Sequence, residues 1–216
     1  SKAYIQKLVE NNITLSSILF MNDSRTEKSY PDEVINISKK NGFDISKSVK
    51  DTLTGNNLMF KEFNFVDINH PDLVEHIKNN EEGFLIFTGG GILKKEILNS
   101  GVKFIHFHPG IVPNYRGSTC FYYSILNEGN CGVTAYIMDE KLDTGDIVYQ
   151  KKFNKPNHIF VDDVYDPFIR SETLVELIKK DILKKNNLKK NNPLEGETFF
   201  IIHPVLKHIS ILSSQS

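Results

Sequence analysis

The chain has 216 residues, is 39% hydrophobic, and carries 26 basic and 27 acidic side chains for a formal net charge of -1. That length can bury a sizeable core in one domain, and so balanced a charge gives no global field toward nucleic acid or an anionic membrane. No apolar run reaches the roughly 20 residues a bilayer requires, the opening SKAYIQKLVE has no signal-peptide h-region, and Cys120 and Cys131 are too few for a disulfide scaffold, so the expectation is a cytoplasmic protein with reduced thiols.

In chain order, Ala3, Ile5, Leu8, Val9 and Ile13 fall near helical period and predict a helix over 2–13. A strand follows at 16–21. A doubly wound sheet normally places a strand before such a helix, so the sequence is expected to begin after one. Ser29 and Pro31 open a helix at 32–40, closed by Gly42. Residues 44–57 are polar and aperiodic, and read as a loop. Asn69 and Pro71 start a helix whose apolar face is Leu73, Val74 and Ile77. Phe84 to Phe87 is the short unbroken apolar run of a buried strand, ending at Thr88-Gly89-Gly90-Gly91 before a helix at 92–99.

Strands at 104–107, 132–138 and 146–153 then alternate with a helix at 119–127. An amphipathic helix at 171–185 carries Leu174, Leu177, Ile178 and Ile182 on one face, and a strand at 199–202 precedes a helical turn at 203–208. The alternation predicts an α/β fold: an open, mostly parallel Rossmann-like sheet flanked by helices, with ligands at the carboxyl ends of its strands. No linker rich in Gly, Ser or Pro divides it. One domain is expected, with a core of about 1–153 and a short strand and helix extension over 154–216. The lysines Lys179, Lys180, Lys184, Lys185, Lys189 and Lys190 read as a solvated face near a helix C-terminus, with nucleic-acid contact as the alternative.

Polar chemistry concentrates between Phe104 and Val148. His106 and His108 stand two residues apart on a strand, so both rings project to one side. Pro109-Gly110 ends that strand, and an Asp-Thr-Gly-Asp turn at Asp143 to Asp146 follows after one more strand. A carboxylate beside an imidazole holds more of its positive charge at neutral pH, and such a group can stabilise an oxyanion. Taken singly, each histidine could be a satisfied strand-end residue, and His-x-His with Asp143 and Asp146 also has the donor types of a metal site. Cys120, at a helix start, could be acidified, though a small buried hydrophobe is the plainer reading. Tyr115 and Arg116 could be turn residues, or the Arg could hold a phosphate or carboxylate.

The ordered set His106-Phe107-His108-Pro109-Gly110-Ile111-Val112-Pro113-Asn114-Tyr115-Arg116-Gly117, then Gly132-Val133-Thr134, then Leu142-Asp143-Thr144-Gly145-Asp146 resembles the folate-dependent formyltransferases. These include glycinamide ribonucleotide, methionyl-tRNA and sugar N-formyltransferases, and the match covers roughly 84–150. The resemblance implies the formyltransferase fold, with His106, His108 and Asp143 as catalytic residues and no metal. The chain departs from the family at His106, where the family has an Asn whose amide donates to the formyl oxygen; an imidazole N–H can donate to the same atom.

The resemblance further implies that 10-formyltetrahydrofolate is the co-substrate. Its pterin would lie against Gly90, Gly91, Ile92 and Leu93 and against Asp139, Glu140, Lys141 and Leu142, though the glycines also suit a bare strand-to-helix turn. Tyr115, Arg116, Gly117 and Ser118 would meet the acceptor, and the segment from Asp162 to Arg170 offers carboxylates for hydroxyls and an Arg for phosphate. The chain after Lys152 looks short for a tRNA-binding domain, and no Gly-rich phosphate loop is visible near the start. The resemblance is therefore strongest to the compact sugar N-formyltransferases. It implies a small-molecule amino-sugar acceptor, nucleotide-linked, with neither nucleic acid nor membrane as partner and a homodimer allowed. The competing class is a module that binds folate or a nucleotide without turnover.

Overall fold

The computed structural model describes residues 1–22, 28–185 and 187–213, which fall into two compact units, Ser1–Phe104 and Ile105–Ser216. In the first unit, α1 (Lys2–Glu10) buries Ala3, Tyr4, Ile5 and Leu8. The strands β1 (Leu19–Met21) and β2 (Lys61–Phe63) pair in parallel. Helix α2 (Asp32–Lys40) starts after Pro31, with acidic residues in its first turn and lysines in its last, as the helix dipole favours.

Two of these elements differ from expectation. Within the stretch read as a loop lies α3 (Val49–Gly55), opened by a reciprocal capping box between Ser48 and Asp51. Seven residues give too little periodicity to betray it, as three give too little for β2. Helix α4 (Pro71–Asn80) is capped by His70, whose ring accepts from the Asp72 N–H. After β3 (Phe84–Phe87) the chain runs through the glycines to α5 (Lys95–Leu98), shorter than its expected span. Asn69 fixes that connection, donating to the Ile92 carbonyl at 2.9 Å and accepting from the Lys94 N–H at 2.7 Å.

The second unit takes up the chain within β4 (Lys103–His108), which pairs antiparallel with β6 (Asn130–Ile137), itself antiparallel to β7 (Ile147–Asn154). His106 lies opposite Tyr136 and His108 opposite Thr134. The α/β class stands, with parallel pairing in β1–β2 and in β5 (Tyr115–Gly117) with β8 (Glu197–Phe199). Between β5 and β6 runs α6 (Cys120–Glu128), stopped by Gly129 in the left-handed conformation.

A π-helical turn (Val161–Tyr165) leads into α7 (Asp166–Lys179), which starts five residues before the expected helix because Pro167 fits its first turn. The same span is broken by Asp181 at φ 51° and resumes as α8 (Ile182–Lys185). The lysine tract is solvated: Lys190 is 88% exposed and reaches Asp146, and Lys184 pairs with Asp181. The last strand ends at Phe199, leaving Phe200 and Ile201 exposed. Helix α9 (Pro204–Ser213) packs on α6, with the Ser210 hydroxyl donating to the Tyr122 carbonyl at 3.2 Å. Among the described residues, no helix is long and apolar enough to cross a membrane.

Candidate active site

Strand β4 carries His108 into the interior, where only 3% of it is exposed. Its Nε2 lies 2.8 Å from the Tyr115 carbonyl oxygen. A carbonyl oxygen only accepts, so Nε2 must hold the proton in the neutral ring. That leaves Nδ1 with its lone pair, 3.5 Å from Asp143 Oδ2. Burial drives the His108 pKa below the ordinary histidine value, and the opposing pull of the Asp143 carboxylate and of the Tyr115 carbonyl does not restore it. This runs against the expectation that Asp143 keeps His108 charged: burial disfavours the imidazolium more than the Asp143 side chain favours it. The pair can nevertheless take up a proton at Nδ1, where the anion faces it.

Asp143 sits in the turn between β6 and β7 at φ 52°, in the left-handed region. Its Oδ1 accepts from the Tyr136 hydroxyl at 2.7 Å, and its Oδ2 from the Gly117 N–H at 2.7 Å. Gly117 is at φ 93°, and a Cβ there would stand 2.2 Å from the Phe199 carbonyl oxygen. Tyr136 is held protonated by burial and by the adjacent Asp143 carboxylate, both of which raise its pKa. Its ring meets His106 edge-on at 5.9 Å between centroids. His106 itself is half-buried. Tyr136 thus touches both His106 and Asp143, and Asp143 in turn faces His108. No local motif marks this residue in the sequence; the β4–β6 register is what places it opposite His106.

Arg116 is expected to meet substrate, and the structure gives it other work. It is 3% exposed; Nε donates to the Asp143 carbonyl, Nη1 to the Glu195 carbonyl, and Nη2 to Asn191 Oδ1 and the Asn192 carbonyl. A guanidinium with four of its five N–H groups so engaged has little left for a phosphate. Tyr115 is buried and stacks on Phe199 at 5.5 Å, and the Ser118 N–H donates to the Phe199 carbonyl. Cys120 is wholly buried with its pKa pushed up to about 12, first by burial and then by Asp143, so the thiol is no nucleophile.

The segment from Asp162 to Arg170 forms the π-helical turn and the start of α7. There Arg170 donates to both Asp166 oxygens, at 2.8 and 2.7 Å, and Asp162 takes the Tyr122 hydroxyl and the Lys207 ammonium. The turn at 139–142 is exposed, and Asp139 organises it by accepting from the Lys141 N–H and the Thr144 hydroxyl. Gly90, Gly91 and Ile92, in the first unit, are exposed, whereas Leu93 is buried. A Cβ at Gly90 would have no atom within 4 Å, so its backbone is open to approach. Among the described residues, no group of three or more His, Cys, Asp or Glu side chains is placed to hold a metal ion.

Residues 18–172 match the family model described as formyl transferase. The methionyl-tRNA formyltransferase of Clostridioides difficile strain 630 is 28% identical over 180 residues, which are 81% of this chain and 54% of that relative, so the chain spans about half of its length. Among solved structures, a sugar 3N-formyl transferase in the presence of dTDP and 5-N-formyl-THF covers 99% of this chain and 74% of its own, with a TM-score of 0.59 and 16% identity. A sugar N-formyltransferase from Shewanella sp. covers 93% of this chain and 87% of its own, with a TM-score of 0.52 and 20% identity. At those identities the two structures establish a shared fold.

Proposed function

The chain belongs to the formyl transferase family, and on that premise we propose that it transfers a formyl group from 10-formyltetrahydrofolate to the amine of a nucleotide-linked amino sugar. The observation that carries the chemistry is the buried contact of His108 Nδ1 with Asp143, on the strand that also bears His106. The folate supplies a formyl group on nitrogen; the amine forms the new C–N bond, the folate C–N bond breaks, and the proton lost by the amine goes to the folate nitrogen.

His106 takes the position of the family's amide donor, and its ring N–H donates to the formyl oxygen as negative charge gathers there. His108 starts neutral and accepts the amine's proton at Nδ1. Asp143 stabilises the imidazolium so formed, which then returns the proton, through water, to the leaving nitrogen. Tyr136 and the Gly117 N–H keep the carboxylate turned toward Nδ1. Within the first unit, Gly90, Gly91 and Ile92 present accessible backbone suited to a pterin edge, and in the second Asp139, Glu140, Lys141 and Leu142 do the same; Leu93, being buried, anchors its loop.

For the acceptor, support comes from the likeness to the sugar 3N-formyl transferase over 99% of the chain. Residues beyond the family match also pack back onto the second unit through β8 and α9. The sequence relatives favour a second reading, methionyl-tRNA. The test is a formyl-transfer assay of the purified chain with 10-formyltetrahydrofolate and a panel of amino-sugar nucleotides, glycinamide ribonucleotide and methionyl-tRNA. Turnover on an amino-sugar nucleotide is expected. Turnover confined to methionyl-tRNA would replace the acceptor, and folate binding without transfer to any of them would leave a binding module.

A further inference from the structure

The family match ends at residue 172, yet the backbone of Asp143 is held by a segment beyond it. Lys189 and Asn191 meet the turn and the strand that leaves it. Lys189 exchanges backbone hydrogen bonds with Ile147, at 2.8 and 2.9 Å, and β8 pairs with β5. Between these anchors stands Asn191, 5% exposed. Its Nδ2 donates to the Asp143 carbonyl at 2.8 Å and to the Gly145 carbonyl at 3.2 Å, while Oδ1 accepts from Arg116 Nη2 at 2.7 Å. Arg116 in turn donates to the same Asp143 carbonyl through Nε at 3.2 Å.

An aspartate in the left-handed region is disfavoured by its own sterics and persists only where its surroundings hold it. Two donors on one carbonyl, from buried side chains that also bond each other, are such a hold. Asp143 and Asn191 are each only 5% exposed, and an unpaired carbonyl at such a site would be strongly disfavoured. Gly145 adds to the constraint, since a Cβ on it would stand 1.6 Å from the Ile137 carbonyl oxygen.

We propose that Asn191 is a positioning residue for formyl transfer: with Arg116 it locks the backbone of Asp143 so that the carboxylate stays against His108 Nδ1. The inference rests on the transfer reading above for its function and on geometry alone for its mechanics. It assigns Arg116 to the same clamp. Among the described residues, Asp143, Arg170 and Asp166 act electrostatically on His108. Of these, Asp143 alone is in contact with Asn191 among the interactions described.

The test is Asn191→Ala, read first by histidine NMR titration of the full chain, with the His108 signal identified by its loss in His108→Gln. Letting the carboxylate drift 1 to 2 Å from Nδ1 should lower the His108 midpoint by about one pH unit. The turnover number should fall about tenfold or more with the folate KM changed less than twofold. Asn191→Ser, whose hydroxyl can serve one carbonyl in place of two, should give an intermediate midpoint, and it supplies the measurement should the alanine variant not fold. A midpoint unchanged in the folded variants would overturn the proposal, because loss of folded protein lowers activity without moving a titration. Should the wild-type chain transfer formyl to no acceptor, the functional reading fails, while the titration still decides whether Asn191 sets the Asp143–His108 contact.

Discussion

Replacing Asp143 by Asn removes a charge while keeping the size of the side chain. The carboxylate lies 3.5 Å from His108 Nδ1, and at an effective dielectric of about 20 the attraction for an imidazolium there is about 5 kcal/mol. The Tyr136 and Gly117 donors draw off part of the negative charge. About 3 to 4 kcal/mol should remain for a proton on Nδ1, on the order of 10²- to 10³-fold in the turnover number. Because His108 is already disfavoured as a cation by burial, losing Asp143 pushes its basicity lower still. The amide can still accept from the Gly117 N–H and donate to the Tyr136 hydroxyl oxygen, so the change falls mainly on the charge. The assay is single-turnover formyl transfer at saturating folate and acceptor, with thermal unfolding followed in parallel. A folded variant transferring within threefold of the wild-type rate would refute the role of Asp143 as the counter-charge of His108.

The depressed His108 pKa makes the folded state bind fewer protons than the unfolded chain, so its contribution to stability is complete above about pH 6.5 and is lost as pH falls through the lower folded value. Urea unfolding from pH 7.5 to 5.5 should show this slope and His108→Gln should flatten it; equal slopes would contradict a buried neutral ring. Tyr136→Phe keeps the ring against His106 but strips one donor from Asp143. Turnover should fall roughly tenfold and stability by about 1 kcal/mol, checked by steady-state rates and urea titration. Gly117→Ala should destabilise by more than about 2 kcal/mol, because its Cβ would stand 2.2 Å from the Phe199 carbonyl oxygen at a φ of 93°. An unchanged urea midpoint would show that β8 can move aside.

The central motif was legible because its signals are local. Strand alternation puts His106 and His108 on one side whatever the rest of the chain does, and the Asp-Thr-Gly-Asp turn follows from residues adjacent in sequence. Long amphipathic segments such as α4 announced themselves through Leu73, Val74 and Ile77. The short elements α3, β2 and β5 did not, since three to seven residues hold too little of either period to separate strand or helix from loop.

The sequence by itself determined which groups are available for chemistry: two imidazoles on one strand and a carboxylate on a glycine-containing turn, in an order specific to one family. Only the tertiary structure decided what state and duty each group has. Desolvation of His108 depends on every element packed around it, and it outweighs the single charge that sequence reasoning could place nearby. Arg116 looks like a ligand for phosphate until Asn191, 75 residues away, and the Asn192 and Glu195 carbonyls take its donors. Burial and long-range hydrogen bonds are set by the sum of packing over the folded chain, and no window of sequence contains that sum.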